Sequence, residues 1–86
     1  MDDCFIKKYW KEENILFYLH FHNKIAVRQL EISSQGVIHL TTDIPIINEH
    51  FLYDQKLEDL ELDNSDYISE REFNEKWDMS LKIPIQ

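Results

Sequence analysis

Two histidines stand two residues apart in "LHFH", His20 and His22, and a third, His39, lies in "GVIHL". On a strand, residues two apart project from one face. A second strand carrying His39 could complete a three-nitrogen donor set of the kind that holds zinc. No other ligand spacing supports such a site. The plainer expectation is a histidine pair on a sheet surface, with no cofactor. Cys4, the single thiol, could act as a nucleophile beside a histidine. Catalytic groups need rigid support, and Cys4 lies near the start of the chain, so a filler thiol is expected.

Carboxylates are the abundant reactive group. "KLEDLELDNSDYISE", residues 56–70, holds six of them and one lysine. Acid–base work by paired carboxylates needs a pocket that pushes two pKa values apart. A domain of 86 residues builds such a pocket with difficulty, so an enzyme is not expected. The same stretch intersperses Leu57, Leu60, Leu62 and Tyr67 with the acids. Apolar anchors ringed by charge suit a specific interface, packing for affinity and charge for steering. The expected partner-binding residues are Tyr53, Asp54, Glu58, Asp59, Glu61, Asp63 and Asp66. The alternative for these acids is a solvated surface.

Composition excludes several classes. Gly36 is the only glycine, which rules out both G-x-G-x-x-G and the P-loop. Residues 1–42 hold equal numbers of acids and bases, so the net charge of −8 belongs entirely to residues 43–86. That field repels nucleic-acid phosphates and anionic lipids and attracts basic partners. Lys7, Lys8 and Lys11 flank Tyr9 and Trp10, the one base–aromatic interleaving. It reads as the exposed side of a first strand rather than a nucleic-acid groove. With one cysteine, no basic-then-apolar leader and no apolar run near the ~20 residues of a membrane span, a soluble cytoplasmic protein is expected.

The elements that must position these residues are legible as alternation. "CFIKKYW", "NILFYLHFH", "IAVRQLEIS" and "GVIHLTT" read as four strands joined by "EENI", "HNK" and "SSQG". The third slips phase after Val27, which predicts a bulge near Arg28–Gln29. Gly36 stands where a hairpin requires positive φ. "DIPIINEHFLYDQKL" contains Pro45, so it is a crossing or edge segment, with a short helical turn around 47–53. In "ISEREFNEKW", Ser69 and Glu72 form a capping box, and Ile68 and Phe73 a hydrophobic staple. A helix over about 70–78 would pin Phe73 and Trp77 on the sheet. "MSLKIPIQ" follows as a tail that could add an edge strand. The expected fold is α+β: an antiparallel meander of four strands, or five with an added edge, and a short C-terminal helix on one face of a single domain, residues 1–86.

"YW", "ILFYLHFHNKIAVRQLEISSQGVIHL" and "YISEREFNEKW" together resemble a small, acidic bacterial domain family of unknown function. Its members carry a tryptophan strand, an "E-V-R-K-V-E" strand, a "D-G" turn, a proline-bearing acidic middle and a terminal "I-S-x-E-E-F-E-x-x-W" helix. The matching positions are Trp10, Leu16 to Leu19, Val27, Arg28, Leu30, Glu31, Gly36, Pro45 and Ile68 to Trp77. "Q-G" replaces "D-G" here, and the middle has fewer prolines. The resemblance implies a sheet-and-helix domain and transfers no catalytic residue. Small proteins of this look resemble immunity proteins that neutralise bacterial toxins. With the charge, this implies an immunity- or antitoxin-type inhibitor of a basic partner such as a toxin nuclease, acting as a monomer. The alternatives are a nucleic-acid mimic with Asp59, Glu61 and Asp63 along an extended ridge, a metal protein using His20, His22 and His39, and a self-associating scaffold.

Overall fold

The alternating half of the chain folds as a meander. A computed structural model describes residues 2–81. Strands β1 (Asp3–Trp10), β2 (Ile15–His22), β3 (Ile25–Ser33) and β4 (Gly36–Thr41) pair antiparallel in sequence order. The β2–β3 loop is Asn23–Lys24, both at positive φ, 51° and 70°, the pattern of a two-residue hairpin matched to sheet twist. Ser34 and Gln35 form the next loop. Gly36 opens β4 with φ 127°, which a side-chain-bearing residue rarely adopts.

The bulge is present but displaced. His20 pairs with Arg28 and Phe21 with Ala26, so Val27 is the extra residue, rather than Arg28 or Gln29. The bulge does not gather the apolar residues of β3 on one face, as a bulge at Arg28–Gln29 would; it divides them between the two. It lets Ala26 share a face with Gln29 and Glu31, while Arg28, Leu30 and Ile32 share the other.

After Thr41 the chain departs from expectation. Residues 47–53 form no helical turn. Ile46–Ile47 (β5) and His50–Phe51 (β6) make a small separate hairpin, with Asn48 at φ 54° in its turn. Two single 3-10 turns follow, Leu57–Asp59 and Asn64–Asp66. Tyr67–Ile68 (β7) then pairs with Ile6 and Phe5 of β1. Among the described residues the fifth strand of the main sheet, ordered β4-β3-β2-β1-β7, is therefore β7. Helix α1 runs Glu70–Leu81, so Met79 to Leu81 extend the helix past the expected end; residues 82–86 of the expected tail strand lie outside the described residues. Ser69 caps α1, its Oγ accepting from Glu72 N–H at 3.0 Å.

The sheet is covered on both faces. Phe5, Tyr18 and Leu30 pack under Phe73, with Leu16, Ile32, Val37, Ile68 and Trp77 around them. Ile68 thus joins Phe73 as the staple requires. On the reverse, Ile6, Leu19, Phe21 and Ala26 lie under Leu52, Tyr53, Leu57, Leu60 and Leu62. Strand β2 is apolar toward both sides, as a doubly covered strand should be. Among the described residues no helix is long and apolar enough to cross a membrane.

Candidate functional site

Segment 52–66 is held down by its apolar residues and its backbone. Leu57, Leu60 and Leu62 turn toward the sheet. They are packing residues of the domain, a correction to their expected role as interface anchors. Leu57 N–H donates to Lys24 O at 3.1 Å, and Lys56 bridges to Ile25. Tyr53 N–H donates to the Gln29 side chain at 2.8 Å, and its hydroxyl to Lys56 O at 3.2 Å. Lys8 Nζ pairs with Asp66 at 3.2 Å. Asp66 also accepts Asp63 N–H at 2.9 Å. That backbone bond, with Lys8 adding to it, outweighs burial and holds its carboxyl below the usual carboxylate range.

With the leucines inward, the acids between them face water. Asp54, Glu58, Asp59, Glu61 and Asp63 are all exposed. Among the described residues none of these five is ion-paired. Of the seven residues singled out from sequence, five therefore form the outer surface. The other two, Tyr53 and Asp66, are half-buried and hold the segment in place. Burial, reinforced by the fields of Asp59 and Asp54, pushes the Tyr53 phenol up. Glu61 lies between the two 3-10 turns, where the backbone is extended at Leu60 and Asp63. Asp59 ends the first 3-10 turn, and Asp63 precedes the second.

Two buried side chains on the sheet position the hairpin beside this surface. Gln29 Nε2 donates to Glu31 Oε2 at 2.7 Å and to Phe51 O at 3.0 Å. Glu31 Oε1 meets His50 Nδ1 at 2.8 Å. Every polar atom of this pair has a partner, which makes its burial tolerable. The hairpin they clamp exposes Ile46 and Phe51, and Ile44 just before it is exposed too, apolar surface that the sequence reading missed. The signal was present: "DIPII" is an apolar run after a charge, interrupted by proline, with no periodic face to bury.

The histidines are divided among separate contacts. His20 Nδ1 accepts Arg28 Nε–H at 3.0 Å, so its Nε2–H donates to Asp3 at 3.1 Å. His22 Nδ1 meets the other Asp3 oxygen at 2.6 Å. Asp3 is held below the usual carboxylate range by His22 first and His20 second. His20 is pushed below the usual imidazole range by burial above all, with Arg28 adding to it against the pull of Asp3. Arg28 donates to Asn74 at 2.9 Å and lies over the Phe73 and Trp77 rings, 4.6 and 5.3 Å from their centroids. His39 instead meets Ser80 Oγ at 2.8 Å and stands edge-on to Trp77. The three histidines of the alternative metal set do not converge. No group of three His, Cys, Asp or Glu side chains among the described residues can hold a metal ion.

Ser80 and Cys4, the latter weighed from sequence as a nucleophile beside a histidine, make separate contacts. The Ser80 hydroxyl gives its proton to Trp77 O at 2.9 Å, so His39 acts as donor to it rather than base. Cys4 packs with Leu52 and Tyr53 on the segment side, across the sheet from His20 and His22.

No protein-family model matches the chain, and no significant match was found among curated proteins or solved structures.

Proposed function

We propose that this chain is a small acidic protein-binding module, an immunity- or antitoxin-type inhibitor that neutralises a basic toxin, such as a nuclease, by covering its positive surface. The observation that carries the reading is the alternation in 57–63: leucines locked to the sheet, carboxylates between them exposed and unpaired among the described residues. A disordered acidic tail would have to be ordered on binding. Here the anionic display is already fixed, so less conformational entropy is lost on association. A nuclease must present cations to phosphate, and an anionic face meets them with a rate raised by long-range attraction.

The resemblance to a small acidic bacterial domain family supports the same reading. In it the protein works as a monomer in the bacterial cytoplasm, where Cys4 stays reduced. The residues that meet the partner are Asp54, Glu58, Asp59, Glu61 and Asp63, with Tyr53 and Asp66 setting their positions.

The test uses the wild-type protein and the triple reversal Glu58→Lys, Asp59→Lys, Glu61→Lys as paired baits. A captured basic protein is then purified and its association followed by stopped flow. Association with wild type should slow at least about tenfold from low to high salt, and the reversal should slow it about as much at low salt. Equal rates for both baits, unaffected by salt, would remove the acidic segment from the interface.

A further inference from the structure

We propose that the cleft beside the β5–β6 hairpin receives an apolar side chain of a basic protein partner, inserted between flanking lysines or arginines. The proposal rests on the reading of the chain as a binder of basic protein and adds the anchor which that reading lacks. Charge alone steers and rejects partners; affinity comes from buried apolar groups near the centre of a contact. The leucines of the acidic segment cannot serve, because they are spent on the sheet.

Pro45, Ile46, Phe51, Leu52, Tyr53 and Asp54 line an open cleft of about 500 Å³. Ile46 and Phe51 are cross-strand partners, so they stand side by side on one face of the hairpin. They are 57% and 61% exposed. An isoleucine and a phenylalanine displayed side by side on a small hairpin belong to neither core cluster. Such patches mark interaction sites.

The patch is also held still. The Phe51 carbonyl accepts from Gln29, the Tyr53 N–H donates to Gln29, and His50 is tied to Glu31. Gln29 and Glu31 are themselves buried beneath it. A two-residue hairpin has little stability of its own; here two sheet side chains fix it against the body. A preformed anchor site loses less freedom on binding.

Charge selects the occupant. No lysine or arginine occurs between Arg28 and Lys56. Asp54 lines the cleft, and Asp43 and Glu49 flank the hairpin in sequence. A second copy would bring like charges together, and an anionic membrane would be repelled. A leucine or aromatic residue with cations on either side satisfies both the cleft and its rim.

The probe is a synthetic peptide, Lys-Arg-Leu-Trp-Arg-Lys, titrated into isotopically labelled full-length protein and read by amide chemical shifts. Two control peptides replace Leu-Trp by Ser-Ser, or the four cations by glutamate. The expected result is shifts at Ile46, Phe51, Tyr53 and Asp54, with binding at least about tenfold tighter than either control. Ile46→Ser with Phe51→Ser should abolish that margin while leaving the thermal midpoint nearly unchanged; Phe51→Ser alone should reduce it. Equal binding of the Ser-Ser peptide, with shifts confined to 58–63, would overturn the cleft and leave the acidic-surface reading standing. Equal binding of the glutamate peptide would overturn the charge selection. No binding by either cationic peptide would sink both. Concentration-dependent shifts at Ile46 and Phe51 without peptide, with dimer seen in sedimentation, would make a second copy the occupant and overturn the proposal.

Discussion

The two faces of the sheet handle charge in opposite ways. On the α1 side, polar groups answer one another from the surface inward: exposed Asp3 with His20 and His22, His20 with Arg28, Arg28 with Asn74 and two aromatic rings. Beneath segment 52–62 only Gln29 and Glu31 are polar and buried, and the segment's own acids are turned to solvent. The outer side of α1 does carry charge, with Glu70, Glu72 and Asp78 exposed and in no ion pair among the described residues; it is the polar groups between helix and sheet that answer one another. The segment face has used its apolar residues for itself and kept its charge on display. The contrast separates a face whose polar groups are paired within the fold from one whose covering segment turns unpaired carboxylates outward among the described residues.

Breaking the helix face should show the largest effect. Phe73 is fully buried at the centre of the helix cluster, so Phe73→Ala should cost about 3–5 kcal/mol in denaturant unfolding. Leu60→Ala, on a half-buried side chain of the other face, should cost about 1 kcal/mol. Equal losses would erase the distinction. Next in size is Gln29→Leu, which leaves the Tyr53 N–H and Phe51 carbonyl without their partner. It should cost about 1–3 kcal/mol and raise amide exchange at 51–53, while exchange within α1 stays as it was.

Acid should sharpen the contrast. Burial lowers the pKa of both His20 and His39 in the fold, from an unfolded value of 6.5. Arg28 adds to this for His20, and the Trp77 backbone opposes it for His39. The fold therefore favours their neutral forms. Their contribution is complete above that value and lost as pH falls through it toward the folded pKa values. Asp3 and Asp66, lowered from 3.8, release their share only at more acid pH. The thermal midpoint should drop between about pH 7 and pH 5, with a change in the fluorescence of Trp77, which touches His39. His39→Gln should shrink that drop. The smallest effect belongs to Glu58→Gln, Asp59→Asn and Glu61→Gln: within about 0.5 kcal/mol each, since they relieve repulsion and break no pair among the described residues.

What could be read in advance followed the range of the interactions. The strands β1 to β4 announce themselves by alternation, and Ser69 with Glu72 marks the start of α1, because both signals are local. Strand β7 is two residues long and exists only through pairing with Phe5 and Ile6, more than sixty positions away. The second face was legible in part: β2 is apolar toward both sides, which calls for two covers. Leu57, Leu60 and Leu62 could not be identified as the second cover, because their spacing matches neither a helix nor a strand. Their segment takes its shape from the surface beneath it.

Cys4 is half-buried on that face, packed against the same cluster that Leu52 and Tyr53 cover. Lifting of the covering segment, a flap over that cluster, should open its sulfur further to an alkylating reagent. The rate of thiol labelling therefore clocks the opening of the acidic segment, without any engineered probe. A bound partner that grips the flap should slow that clock, whereas one docked on α1 would leave it running.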